Sequence, residues 1–169
     1  MLFRSQAMNG NTTASQSTAV GYQALYNNTT ASMTAVGYQA LYANTTGSDN
    51  VAVGWQSMYA NTTGYEAVAL GSQALYSNTS GQRNTAIGHN VLRSNSTGND
   101  NCGVGWYALR VTTGSSNTAL GSAAGNAISS GTNNTVAGYG AGSSINTGAN
   151  NVCIGYSAGD NISSGTVNT

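Results

Sequence analysis

His89, the acids Asp49, Glu66, Asp100 and Asp160, and the thiols Cys102 and Cys153 are the residues of this 169-residue chain with the chemistry for proton transfer, metal ligation or nucleophilic attack. Their placement argues against each use. His89 stands where neighbouring stretches carry Tyr22, Tyr38, Trp55 and Trp106, so it reads as one more ring in an aromatic series. The acids fall in separate stretches, whereas general acid–base work needs two groups held at one substrate. No nucleophile, base and orienting group come together, and two cysteines fall short of a metal set. The sequence therefore assigns no catalytic, cofactor-binding or metal-binding residue, and the chain reads as a protein that is not an enzyme.

The elements that would position any site are repeats. A Thr-Ala-Val-Gly motif places its glycine at Gly21, Gly37, Gly54, Gly71, Gly88, Gly105, Gly121, Gly138 and Gly155, a nearly constant interval, with Arg4 holding the same place in a degenerate first copy. A period of roughly 17 residues is too short for a pair of helices and suits one coil of a flattened solenoid. Each unit opens with a β-favouring run such as Thr34-Ala35-Val36, continues through Gln39-Ala40-Leu41-Tyr42 as a second short strand, and turns at Asn44-Thr45-Thr46-Gly47. The expected fold is all-β: a parallel β-solenoid of about ten coils, a rod roughly 48 Å long at the usual strand spacing. Residues 1–169 form one repeat domain, with Gly-Tyr-Gln-Ala-Leu-Tyr coils over 1–114 and Ala-Gly coils over 115–169. In the second group Ile128, Ile145 and Ile162 are expected to take over the core position left by leucine, and the rod to change cross-section or twist near Gly114.

Stacked coils turn a repeated residue into a ladder. Asn28, Asn44, Asn61, Asn78 and Asn95 should form one of amides, and Tyr26, Tyr42, Tyr59 and Tyr76 one of rings. These four tyrosines, with Tyr22, Tyr38, Trp55 and Trp106 after the glycine, are the candidate recognition surface, because exposed rings in register can stack on sugars. Ring-on-ring packing is the plainer reading of the same columns. The series Thr12, Thr29, Thr45, Thr62 and Thr79, beside Thr13, Thr30, Thr46 and Thr63, offers ice binding as an alternative function, although sequence neighbours at a turn do not make a flat face. Asn-X-Ser/Thr patterns at Asn11, Asn28, Asn44, Asn61, Asn78, Asn95, Asn133 and Asn161 would give a sugar stripe if glycosylated, and otherwise reflect turn chemistry.

In Thr18-Ala19-Val20 and Val51-Ala52-Val53, adjacent residues face opposite sides of a strand, yet both sides carry apolar groups. One side must line the coil interior; the other calls for a second packing surface, most simply a symmetry mate in a homotrimer. The same alternation puts Cys102 and Cys153 on opposite faces, three coils or ~14 Å apart, against the ~7 Å a disulfide tolerates.

Four arginines oppose four acids, and lysine and proline are absent. Leu, Ile, Val and Phe together fall below the share at which disorder becomes a fair suspicion, but the net charge that usually accompanies disorder is zero here. So little charge offers nothing to phosphates, which argues against nucleic acid and anionic membranes as partners. No apolar stretch reaches the length of a membrane span, and 1–10 lacks the apolar core of a signal peptide.

The units Asn84-Thr85-Ala86-Ile87-Gly88 and Asn117-Thr118-Ala119-Leu120-Gly121 resemble the head repeats of trimeric autotransporter adhesins, whose signature reads Asn-Ser-Val-Ala-Ile-Gly, and also the Asn-Thr-Ala-Ile-Gly-Tyr arrays of bacteriophage tail fibres. The likeness covers essentially the full chain, with threonine for the family's valine at Thr85 and Thr118 and slightly longer units. It implies a trimeric, left-handed β-roll that works as a structural or adhesive fibre segment in a virion tail fibre or on a cell surface. A cell-surface glycan or protein receptor is the implied partner, with no cofactor.

Overall fold

The computed structural model describes residues 6–10, 15–30 and 32–166. Nine three-residue strands recur once per coil: β1 (Thr18–Val20), β2 (Thr34–Val36), β3 (Val51–Val53), β4 (Val68–Leu70), β5 (Thr85–Ile87), β6 (Cys102–Val104), β7 (Thr118–Leu120), β8 (Thr135–Ala137) and β9 (Val152–Ile154). They form one sheet in chain order, every neighbour parallel. The register is one-to-one, Ala35 beside Ala52 and Ala52 beside Ala69. The chain is thus a parallel β-solenoid, and eight steps at the usual strand spacing extend it by roughly 38 Å. The degenerate copy at Arg4 lies outside the described residues. The stack nonetheless reaches back before β1, because Met8 N donates to Ala24 O at 2.9 Å and Gly10 N to Tyr26 O at 2.7 Å.

The second strand expected in each coil is absent among the described residues. Its place is taken by a run of turns in which every other residue is left-handed, as at Gln39 (φ 53°) and Leu41 (φ 52°). The left-handed residues send their amides to the neighbouring coils, Gln39 N donating back to Tyr22 O at 2.9 Å and Leu41 N forward to Ser57 O at 3.0 Å, while Ala40 N between them turns back within its own coil to Gly37 O at 3.5 Å. The segment is therefore bonded to both neighbouring coils, at alternate residues, while closing the coil within one period of the repeat. A left-handed leucine costs on the order of 1–2 kcal/mol. Complete burial of the Leu41 side chain, worth about 1.5–3 kcal/mol, offsets it. Strand propensity of Leu and Tyr gave way to the geometry of closure.

The glycine after each strand is fixed by two constraints at once. Gly37 has φ 137°, and a Cβ there would sit 2.7 Å from the Gly54 carbonyl carbon of the next coil. No other residue combines that dihedral with that approach.

The interior is built from columns. The inward strand position holds Ala35, Ala52, Ala69, Ala86 and Ala119, all fully buried, and Leu25, Leu41, Met58, Leu75, Leu92 and Leu109 fill the centre. Small alanines bring the walls close enough for one large side chain per coil to fill the gap, which is how so few aliphatic residues suffice. Asparagine does the rest. Asn44, Asn61, Asn78 and Asn95 each donate Nδ2 to the Oδ1 of the asparagine one coil earlier, at 2.7–3.0 Å. Each also donates to the carbonyl of the glycine three residues on, as Asn61 does to Gly64 O at 3.0 Å.

The sheet passes Gly114 without losing register; what changes there is the filling of the core. Gly125 and Gly142 occupy the leucine column, and Ile128 and Ile145 occupy the asparagine column, fully buried. The isoleucine does not take the leucine position itself: a Cβ at Gly125 would lie 2.9 Å from both Ile128 Cδ1 and Leu109 Cδ2, so the side chain reaches from the asparagine column into the volume that leucine leaves. Thr112 marks the handover, its Oγ1 donating to Ile128 O at 2.8 Å.

Candidate functional site

With one strand per coil, the last residue of each strand points outward and forms an uninterrupted apolar column, Val20, Val36, Val53, Leu70, Ile87, Val104, Leu120, Ala137 and Ile154, beside a second outward column that is mostly threonine, as at Thr18, Thr34, Thr85, Thr118 and Thr135. Several of these are openly exposed, Val20 at 48% and Leu120 at 47%. The doubly apolar strand therefore has alanine inside and branched aliphatics outside, uncovered. A contiguous exposed strip of this kind is what marks a contact surface.

Beyond the bend at each glycine stands the first aromatic column, with Tyr22, Tyr38, Trp55 and Trp106 all exposed. Tyr22 stacks on Tyr38 with centroids 5.6 Å apart, and Tyr139 on Tyr156 at the same distance. The second column, Tyr26, Tyr42, Tyr59 and Tyr76, is a continuous stack at 5.2–5.3 Å. Arg93 closes it, its guanidinium 5.2 Å from the Tyr76 centroid. Desolvation, then the neighbouring Tyr42, Tyr76 and Tyr38, raise the Tyr59 hydroxyl above its ordinary value. In this second column the ring faces are spent on one another, so edges and hydroxyls are what a ligand meets.

Between the two aromatic columns runs a ladder of glutamines that the repeat pattern contained but sequence reasoning passed over. Gln39 Nε2 donates to Gln23 Oε1 at 2.9 Å and Gln56 Nε2 to Gln39 Oε1 at 3.0 Å; the link from Gln73 to Gln56 lengthens to 3.4 Å. A second buried amide ladder was also missed. Asn84, Asn101, Asn117, Asn134 and Asn151 lie just before their strands, and the Oδ1 atoms of Asn84, Asn101, Asn117 and Asn134 accept the backbone N–H of the next asparagine at 3.0–3.1 Å. The signal was the fixed offset before Thr-Ala-Ile-Gly.

Other candidates resolve individually. The amides of Asn28, Asn44, Asn61, Asn78 and Asn95 are completely buried, so the folded chain presents no glycosylation stripe; of the described acceptors, Asn133 and Asn161 are exposed, and Asn11 lies outside the described residues. The hydroxyls of Thr29, Thr45, Thr62 and Thr79 donate to the backbone carbonyl of the next coil at 2.6–3.1 Å, so that corner does not offer them as free donors. Thr12 and Thr13 lie outside the described residues. The acids prove less scattered than their sequence separation implied: Asp49, Glu66, Arg83 and Asp100 share one column at the left-handed residue of successive coils. Arg83 grips Asp100 with two contacts of 2.7 and 3.0 Å, and this hydrogen bonding holds the Asp100 carboxyl below its ordinary value. Both are about half exposed, so the pair adds little stability.

His89 takes the aromatic slot, tilted against Tyr107 at 5.6 Å, with Asn90 Nδ2 2.9 Å from its Nδ1. Cys102 is half-exposed on the outer strand position and Cys153 is buried, both as free thiols; burial pushes the Cys153 thiol up. No group of three His, Cys, Asp or Glu able to hold a metal occurs among the described residues, and no helix there is long and apolar enough to cross a membrane. The fold defines the class, a tandem-repeat β-solenoid. No family model, curated protein or solved structure matches the chain.

Proposed function

We propose that this chain is a structural and adhesive fibre segment of the kind found in phage tail fibres and bacterial surface adhesins, working outside the cell as a homotrimer and carrying out no reaction. The observation behind this reading is the uncovered aliphatic column on β1–β9, which repeats at every coil and carries no charge. A strip that is regular along its whole length is best covered by an equally regular surface, which a second and third copy of the same solenoid supply. Mechanical extension follows from the rod. Recognition of cell-surface glycans by the exposed rings follows from repetition, because weak contacts multiplied along a fibre add up to avidity. The ice-binding alternative loses support at one of the two threonine columns it relied on, where the hydroxyls of Thr45 and Thr62 are bonded to backbone carbonyls.

Light scattering combined with small-angle scattering tests the assembly. A rod of three times the 17.0 kDa chain mass is expected, and the Cys102 thiol should be alkylated slowly in it. A 17.0 kDa particle with a freely reactive Cys102 would refute the trimeric fibre.

A further inference from the structure

The first aromatic column is not continuous. Reading coil by coil it runs Tyr22, Tyr38, Trp55, Ser72, His89, Trp106, Ser122, Tyr139, Tyr156. The backbone beneath it is unbroken, since Gln73 N donates to Trp55 O at 2.9 Å and Asn90 N to Ser72 O at 3.0 Å; the same holds at Ala123 N to Trp106 O, 2.7 Å, and Gly140 N to Ser122 O, 3.0 Å. Each serine is therefore a missing rung in an intact ladder, not a local distortion.

The two gaps share a composition. Each follows a tryptophan, and the chain has only two. Each lies beside a leucine, Leu70 or Leu120, the only leucines in the outer strand column. Trp55 and Trp106 stay 48% and 52% exposed. Trp55 makes no ring contact among the described residues, while Trp106 rests on Tyr107 with centroids 3.8 Å apart. The same small set thus recurs three coils apart, about 14 Å along the rod.

We infer that these gaps are two saccharide-binding notches, Trp55–Ser72–His89 and Trp106–Ser122–Tyr139, each sized for one pyranose ring of gluco configuration. The inference rests on the adhesive reading above and names its ligand. The residues bounding a gap are two coils apart, roughly 9.6 Å. A guest midway would lie about 5 Å from each, close to the 5.6 Å separation of the column's own stacked rings. Configuration follows from having a ring on both sides. A sugar held between two aromatic walls must present C–H groups on both faces, which all-equatorial glucosyl and N-acetylglucosaminyl units do; an axial hydroxyl, as in galactose, spoils one face. The first notch is the better equipped: Ser72 supplies a hydroxyl, and the adjacent Gln73 amide is held only by two long contacts, donating to Gln56 Oε1 and accepting from Arg93 Nε, both at 3.4 Å. Ser122 is followed by Ala123, so the second notch should bind more weakly.

The test uses the whole chain in its native assembly, with cellotriose and N,N′,N″-triacetylchitotriose as probes and a β-1,4-linked galactotriose as control. Tryptophan emission and NMR line positions are followed during titration. Both gluco-configured probes should perturb the tryptophans with millimolar affinity, and the control should bind at least tenfold more weakly. Ser72→Tyr restores the column's own residue, so the variant should fold; it should remove the tighter phase, and Ser72→Tyr with Ser122→Tyr should abolish the response. Trp55→Leu, which leaves Ser72 open, should weaken the tighter phase at least tenfold. No response to either probe, an equal response to galactotriose, or a response unchanged in the doubly filled variant would overturn the notches. Any of these in a protein that still sediments as a trimeric rod leaves the fibre reading standing, whereas a monomer that binds cellotriose would sink the fibre and keep the notches.

Discussion

Replacing Gly125 by leucine would return the seventh coil to the residue type found in the leucine column before it. At that position a Cβ meets Ile128 Cδ1 and Leu109 Cδ2 at 2.9 Å and Val136 Cγ2 at 3.2 Å, and the backbone sits at φ 60°. Overpacking of this kind costs about 1–3 kcal/mol. The left-handed backbone adds roughly 1–2 kcal/mol. Ile128→Asn alone removes a fully buried side chain, worth about 1.5–3 kcal/mol. It also buries an amide next to Ile145 and to a Thr112 hydroxyl already committed to Ile128 O, for about 1–3 kcal/mol more. If the two positions were independent, the double variant would lose the total. Because the isoleucine occupies the very volume the leucine would enter, we expect the double variant to recover about 2–3 kcal/mol of that total. Urea unfolding of wild type, both single variants and the double variant, followed by far-ultraviolet circular dichroism and compared at matched slopes, gives the coupling. Additivity within about 0.5 kcal/mol would refute the claim that the leucine and asparagine columns exchange as a unit.

Other consequences follow from the same columns. Asn61→Ala should destabilise by about 2–5 kcal/mol, since it strips Asn44 Oδ1 of its donor and leaves a hole mid-ladder. Asn95→Ala should cost about 1–2 kcal/mol less, because Asn95 Oδ1 is buried without a hydrogen-bond partner; equal thermal shifts would contradict the ladder account. At Gly103 a Cβ would meet Val91 Cγ1 at 2.6 Å, so Gly103→Ala should cost about 1–3 kcal/mol and Val91→Ala should rescue it, which denaturant midpoints will decide. Tyr59, raised in the fold, keeps its proton longer than it would in the unfolded chain. The stability this brings is present below the ordinary tyrosine range and is lost as pH rises through the folded value, so Tyr59→Phe should flatten the alkaline fall in melting temperature. In absorbance titrations of the wild type, Tyr59 should be among the last tyrosinates to form.

Period and residue type together made much of this molecule legible. Glycine at a near-constant interval set the coil, and within it the recurrence of Asn28 to Asn95 and Tyr26 to Tyr76 set two ladders, because a constant offset in a solenoid is a constant place in space. The alternation in Thr-Ala-Val likewise located an inner and an outer sheet face. What the sequence left open depended on dihedral angles and on distance between columns. Gln39 and Leu41 have strand-forming neighbours, and only closure of the coil, with carbonyls of two adjacent coils to satisfy, puts them in the left-handed region. Asp49, Glu66, Arg83 and Asp100 look scattered along the chain and stand in one row on the rod. The asparagines in the Asn-X-Thr patterns read as surface acceptors, yet burial turns them into core, since an amide bonded on both sides is the one polar group that packs indefinitely along an axis. The gaps at Ser72 and Ser122 were written in the sequence as plain substitutions. They became notches only when the backbone hydrogen bonds kept their coils in register, with rings standing above and below.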